Sequence, residues 1–138
     1  MKVLVDTSVW SLAFRRRSPA HPFVDELRRL VVSGRAGIIG PVRQEVLSGI
    51  RDVGAFERLR DRLGAFPDEP LTSGDYERAA EFFNVCRANG LQGSNTDFLL
   101  CAVAVRHHMP LLTTDGDFRR YAAVIPVALH AVAGSSQG

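Results

Sequence analysis

Apolar residues along this chain fall into two patterns, short unbroken runs and longer segments with helical spacing, and the two alternate. The run Val3-Leu4-Val5 predicts a strand over residues 2–5, and a short helix over about 8–14 follows it, capped by Thr7 or Ser8. Phe23, Leu27, Leu30 and Val31 share one face of a helix over 22–32, which Gly34 terminates. Residues 37–39 read as a second buried strand, and Pro41 suits the first turn of the next helix, which carries Glu45. A charged amphipathic helix over 53–63 puts Val53, Phe56, Leu59 and Leu63 inside and Arg58, Arg60 and Arg62 in solvent. Pro67 and Pro70 mark an irregular or edge segment.

Thr72 and Asp75 form a capping box for a helix that runs to Asn89 and stops at Gly90, with Tyr76, Ala79, Ala80, Phe83 and Cys86 on its apolar face. Residues 98–105 are apolar all round, which predicts a helix buried in the middle of the domain. A third strand is expected over 110–113, a short helix over about 118–121, and a last strand near 127–129. Short strands alternating with helices give the α/β class: a sandwich with a short, mainly parallel β-sheet flanked by α-helices. The expected organisation is one domain over 1–130, followed by a flexible tail over 131–138.

In such sheets ligands bind beyond the carboxyl ends of the strands, and acids stand there. Asp6 closes the first strand, and Asp115 follows the third. Asp97 opens the buried helix, and Glu45 borders the stripe Val42, Val46 and Ile50. Taken singly, each has an ordinary reading: Asp6 as a helix cap, Asp97 as an acid at a helix N-terminus, Glu45 as a rim charge, and Asp115 with Asp117 as a turn. Taken together, carboxylates beside apolar segments are costly unless paired or bound to a cation. If the fold gathers them, their common partner is a hard divalent cation such as Mg²⁺, a tool for phosphate-ester hydrolysis.

Composition narrows the alternatives. The 138 residues are 46% hydrophobic and 23% charged, as expected of a globular domain, and no apolar run approaches membrane-spanning length. The early charge at Asp6 argues against a secretory signal, so a cytoplasmic location with no membrane contact is expected. Net charge is +2, carried by sixteen Arg and the single Lys2. No Lys follows a glycine run, which excludes a P-loop, and no downstream Lys is available to hold a phosphoryl group as in phosphoaspartate enzymes. A phosphatase-like phosphotransferase is further disfavoured by Ser8, where a second acid is required. Cys86 and Cys101 sit in apolar helical patterns and read as buried free thiols. The four histidines form no metal motif, and His107-His108 ends a helix.

Four segments together resemble the PIN-domain ribonucleases, in particular the VapC-type toxins of type II toxin–antitoxin systems. They are Val3-Leu4-Val5-Asp6-Thr7-Ser8, Pro41-Val42-Arg43-Gln44-Glu45-Val46, the stretch from Thr96-Asp97 through Ala104, and Leu111-Leu112-Thr113-Thr114-Asp115-Gly116-Asp117-Phe118. Each is loose, but their order and spacing span residues 2–129. The resemblance implies a PIN-like sandwich in which Asp6, Glu45, Asp97 and Asp115 are the catalytic acids and, with Asp117, hold the metal. Thr7 and Thr113 would orient carboxylates from behind. Cys101 stands where the family usually has a small or aliphatic residue, a neutral packing change.

The activity so implied is Mg²⁺-dependent endonucleolytic cleavage of RNA, with Mn²⁺ as a substitute, leaving a 5′-phosphate and a 3′-hydroxyl. One or two metals, about 3.5–4 Å apart if two, fit that chemistry. Basic residues must hold the flanking phosphates. Arg15, Arg16 and Arg17 come first and Arg43 next, although a solvated charge run also accounts for the triplet. Trp10 reads as packing rather than as a stacking platform. The partners implied are RNA, a small cognate antitoxin docking on a groove near Trp10, Leu12, Ala13 and Phe14, and a second copy in a homodimer. The alternatives are a non-toxin PIN nuclease in RNA processing and a catalytically inactive metal- or RNA-binding module.

Overall fold

Strand β1 (Val3–Val5) is apolar at every position and wholly buried, as a strand covered on both faces must be. It is the centre of the computed structural model, which describes residues 1–15 and 20–133; Arg16, Arg17 and residues 134–138 of the expected tail lie outside the described residues. After β1 come α1 (Thr7–Phe14), α2 (Pro22–Val32), β2 (Ala36–Gly37), α3 (Gly40–Leu47), α4 (Val53–Leu63), α5 (Ser73–Ala88), α6 (Asn95–His107), β3 (Leu111–Leu112) and α7 (Asp117–Ala122). The sheet order is β2-β1-β3 with both pairings parallel, Val3 opposite Ala36 and Val5 opposite Leu112. Every connection between its strands is therefore a helical crossover, and helices flank the sheet. This is the expected α/β architecture. No helix among the described residues is long and apolar enough to cross a membrane.

The bounds of α2 and α4 agree with the periodicity, and the Thr72–Asp75 capping box at the start of α5 is complete in both directions. Several details differ. The cap of α1 is Asp6, not Thr7 or Ser8; Thr7 is already helical. The second strand lies one residue earlier, because Pro41 in the first turn of α3 requires the chain to be turning by Ile39, the residue at that helix's cap position. The expected last strand is a single bridge: Leu111 donates to the Ala128 carbonyl and accepts from His130, and the two-residue β3 offers no further rung. Packing continues past the expected boundary at 130, since Val132 is buried in the core. Finally, α5 turns Asp75, Ala79, Phe82 and Cys86 inward, leaving Tyr76 54% exposed and Ala80 in solvent. On α4, Val53 is likewise 70% exposed, lying at the helix's first residue, beyond the inner stripe of Leu59 and Leu63.

The rotation of α5 follows from one ion pair. Arg106 on α6 grips Asp75 with two hydrogen bonds, Nε to Oδ1 at 2.7 Å and Nη2 to Oδ2 at 2.8 Å, and Nη2 also reaches the Pro70 carbonyl at 3.0 Å. Such a planar two-point grip is among the stronger polar contacts a protein makes. Asp75 is nearly inaccessible. Burial alone drives its carboxyl up, but the Arg106 hydrogen bonds and the Thr72 cap outweigh it and hold the group below the ordinary carboxylate value. Between the same two helices, Cys86 and Cys101 are free and buried.

Arg106→Ala is expected to destabilise the protein by about 2–3 kcal/mol in urea unfolding at neutral pH. That is the lower part of the range for orphaning a buried carboxylate, because the guanidinium keeps 38% exposure. The folded-state pKa of Asp75 is depressed, so the pair's contribution is complete above the ordinary carboxylate range and is lost as pH falls through the depressed value. The deficit of the variant should therefore shrink in acid.

Candidate active site

The backbone N–H of Asp6 donates to the Leu112 carbonyl at 2.9 Å, which carries the sheet one residue past β1 and brings the β3–α7 loop alongside. Oδ2 of Asp6 accepts from two hydroxyls, Thr113 Oγ1 at 2.8 Å and Ser8 Oγ at 2.9 Å. Each hydroxyl is itself held from behind. The Asp115 N–H donates to Thr113 Oγ1 at 3.0 Å, and the Thr114 N–H donates to Ser8 Oγ at 3.1 Å. The loop is thus folded around Asp6, which is only 6% exposed.

Asp97 reaches the same place from α6. Its side chain accepts from the Ser94 N–H while its own N–H donates to Ser94 Oγ, a capping box that sets the first turn of the helix. Its carboxyl is pushed up to about 6, first by burial and then by the negative charges of Asp6 and Asp115. Burial likewise raises Asp6, against the lowering effect of its two hydroxyl partners. The Cys101 thiol, one turn beyond Asp97, is raised by burial and by the fields of Asp97 and Asp6. The structure therefore brings Asp6 and Asp115 within electrostatic reach of Asp97.

The remaining residues singled out by sequence stand around this group. Glu45 is exposed on α3 and accepts from Thr7 Oγ1 at 2.7 Å, so Thr7 ties it to the residue after Asp6. Asp115 Oδ1 accepts from the Asp117 N–H at 2.9 Å, and the Asp117 carboxylate takes Arg120 at 3.0 Å. Arg15 is exposed and donates to the Ser48 carbonyl at 3.4 Å, while Arg16 and Arg17 fall outside the described residues. Arg43, also expected as a phosphate holder, is engaged largely inside the fold. Its guanidinium donates to Asp68 at 3.0 Å, to the Leu63 carbonyl at 2.9 Å and to the Phe66 carbonyl, clamping the end of α4 to α3. Sequence reasoning also passed over Ser8 and Ser94 as site residues. The signal was present in both cases: a hydroxyl two residues after the strand-end acid, and a Ser three residues before Asp97.

Among the described residues no three His, Cys, Asp or Glu side chains form a group arranged to hold a metal ion. The donors are nevertheless all hard oxygens. Asp6 and Asp97 are destabilised as anions, and none of Asp6, Asp97 and Asp115 has an ion-pair partner among the described residues. Such a set fits a hydrated cation held by one or two carboxylates plus waters and substrate oxygens, the habit of Mg²⁺, and does not fit a closed structural cage.

A model of the PIN domain matches residues 3–124 of the chain. The VapC ribonuclease Mb1587 of Mycobacterium bovis is 29% identical over 120 residues, covering 84% of this chain and 88% of that protein. Two solved structures share the fold. One is VapBC2 from Rickettsia felis bound to a DNA fragment from its promoter (TM-score 0.74, 17% identity, 96% of this chain and 99% of that one). The other is a toxin–antitoxin complex from Klebsiella pneumoniae (TM-score 0.66, 19% identity, 93% and 100%).

The raised Asp97 makes a prediction without metal. An acid whose folded-state pKa is raised costs the native state stability as pH climbs from the ordinary carboxylate range towards about 6. In excess chelator, the thermal midpoint of the wild type should fall across that window, and Asp97→Asn should flatten the fall while keeping the cap to Ser94. A pH profile of Asp97→Asn melts that parallels wild type would remove Asp97 from the coupled group.

Proposed function

This chain belongs to the PIN-domain family, and from that premise we propose that it is a divalent-cation-dependent endoribonuclease, the toxin of a toxin–antitoxin pair. The observation that carries this reading is the buried Asp6 carboxylate, pinned by Ser8 and Thr113 at the carboxyl end of the sheet, whose charge acts with that of Asp115 on Asp97. The mycobacterial relative, a VapC ribonuclease, supports the nuclease activity, and the Klebsiella toxin–antitoxin complex supports the paired antitoxin.

Mg²⁺, held directly by one or two of Asp6, Asp97 and Asp115 and through water by the rest, with Glu45 and Asp117 at the margin, would lower the pKa of bound water and neutralise charge on the scissile phosphate. The chain's own residues do the positioning. Ser8 and Thr113 both bond Oδ2 of Asp6 and so hold its carboxylate in place at the end of β1. Thr7 holds Glu45 in the same way. Because water is the nucleophile, the RNA 2′-hydroxyl is not consumed, and the products carry a 5′-phosphate and a 3′-hydroxyl. Arg15, with Arg16 and Arg17, remains the first candidate for holding flanking phosphates; Arg43 is less suited, since three of its five N–H donors are engaged inside the fold.

The antitoxin surface differs from the expected one. Trp10 is fully buried, donating Nε1 to the Val5 carbonyl at 3.1 Å and packing on Phe14 and Phe66, so it cannot receive a partner. The usable groove starts at Phe14, where Arg62 lies 4.3 Å over the ring, and opens into cavities of about 240 and 420 Å³ between α1, α2 and α4. Arg15, Arg51, Arg58 and Arg62 rim the larger one, which favours an amphipathic partner segment carrying acids.

Purified protein should cleave RNA, lose that activity in EDTA and regain it with Mg²⁺ or Mn²⁺. Asp6→Asn should abolish cleavage with the fold intact, and Thr113→Val should lower it by about 10–100-fold, as for other groups that orient metal-binding carboxylates. A substrate with a single 2′-deoxy sugar at the cleaved position should still be cut. Cleavage that persists in excess chelator, or that stops with the 2′-deoxy substrate, would defeat the mechanism.

A further inference from the structure

Tyr121, on the short helix α7, is 1% exposed, yet its hydroxyl is not idle: Oη donates to the Gln92 carbonyl at 2.8 Å. The ring lies between Phe98 and Phe118, with centroids 5.1 and 5.2 Å away. Its hydroxyl end also lies against Gly93. A Cβ at that position would stand 2.4 Å from the Tyr121 hydroxyl, 2.9 Å from its Cζ and 3.0 Å from Phe98 Cε2. Gly93 is not among the glycines with positive φ, which are Gly34, Gly49 and Gly90. A side chain is therefore excluded there by the ring above it, not by the backbone.

The segment so pinned leads directly into the active site. Gly93 precedes Ser94, and the Ser94 cap fixes the side chain of Asp97 at 3.1 Å. At its other end Tyr121 belongs to the helix that starts at Asp117, two residues after Asp115. One tyrosine thus joins the two segments that deliver acids from opposite sides, α6 with Asp97 and the β3–α7 loop with Asp115. A phenylalanine would fill the same space, so the hydroxyl has a purpose beyond packing.

We propose that Tyr121 is a positioning residue: through Gln92 and the bare face of Gly93 it sets the turn that holds Asp97 opposite Asp6 and Asp115. The proposal rests on the ribonuclease reading for its catalytic consequence, but not for its structural one.

The test is Tyr121→Phe, with Tyr76→Phe, an exposed tyrosine, as control. Three quantities are read: amide hydrogen exchange without metal, Mn²⁺ affinity by electron paramagnetic resonance, and kcat and KM on RNA. Exchange should accelerate at residues 93–98 while the middle of α5 keeps its wild-type protection. Mn²⁺ binding should weaken about tenfold, and kcat should fall by a similar factor with KM for RNA unchanged. The control should match wild type in all three. Wild-type exchange at 93–98 in Tyr121→Phe would overturn the proposal, as would an unchanged Mn²⁺ affinity. A Tyr121→Phe protein that does not fold overturns it too, because the hydroxyl would then serve the whole core and not one turn. If the wild type cleaves no RNA, the function reading fails, and the exchange result still decides the role of Tyr121.

Discussion

Two hydroxyls, from Ser8 and Thr113, hold one oxygen of a carboxylate at the buried end of the central strand, and the surrounding structure is organised by that contact. A carboxylate there is costly to desolvate. Its presence requires β3 to end at Leu112 so that Thr113 can turn back, and requires α1 to begin at Thr7 so that Ser8 lies within reach. The same hydroxyls then collect the Thr114 and Asp115 amides, which fixes the loop into α7. Core and site are in this sense one construction, with the sheet edge supplying the floor and the loop supplying the rim.

The fold contains its own comparison for what a buried acid needs. Asp75 is as inaccessible as Asp6, but it has Arg106 in a two-point grip, and its carboxyl is held below the ordinary value. Asp6 and Asp97 receive hydroxyl and amide donors but no cation from the described residues, and both are raised. One acid is neutralised from within the protein and serves packing. The others keep an unbalanced negative charge, which a divalent cation would balance.

The arginine excess divides along similar lines. Arg43 and Arg106 are spent on carbonyls and carboxylates inside the fold, where a planar fork reaches several acceptors at once. Arg62 covers Phe14, and Arg15, Arg51 and Arg58 remain around the groove at the far end of α1 from Asp6. The basic, apolar-floored groove thus lies away from the acids, with Arg15 on its rim.

Much of this was legible in the chain. Helix periodicity placed α2 and α4, the Thr72–Asp75 and Gly90 signals bounded α5, and the all-apolar stretch marked α6 as central, because spacing, caps and burial period act between near neighbours. The acids at the edges of apolar segments, Asp6, Asp97 and Asp115, were visible for the same reason. Other features depended on partners distant in sequence. The face α5 turns inward was decided by Arg106, thirty-one residues from Asp75, the use of Arg43 by carbonyls at Leu63 and Phe66, and the burial of Trp10 by Phe66. The pairing of Ser8 and Thr113 on one oxygen of Asp6 spans more than a hundred residues and exists only once β1 and β3 lie side by side. Local sequence determines which elements form and which charges are out of place, whereas only the closed sheet decides which of those charges meet, because proximity across a parallel crossover is a property of topology and not of neighbouring residues.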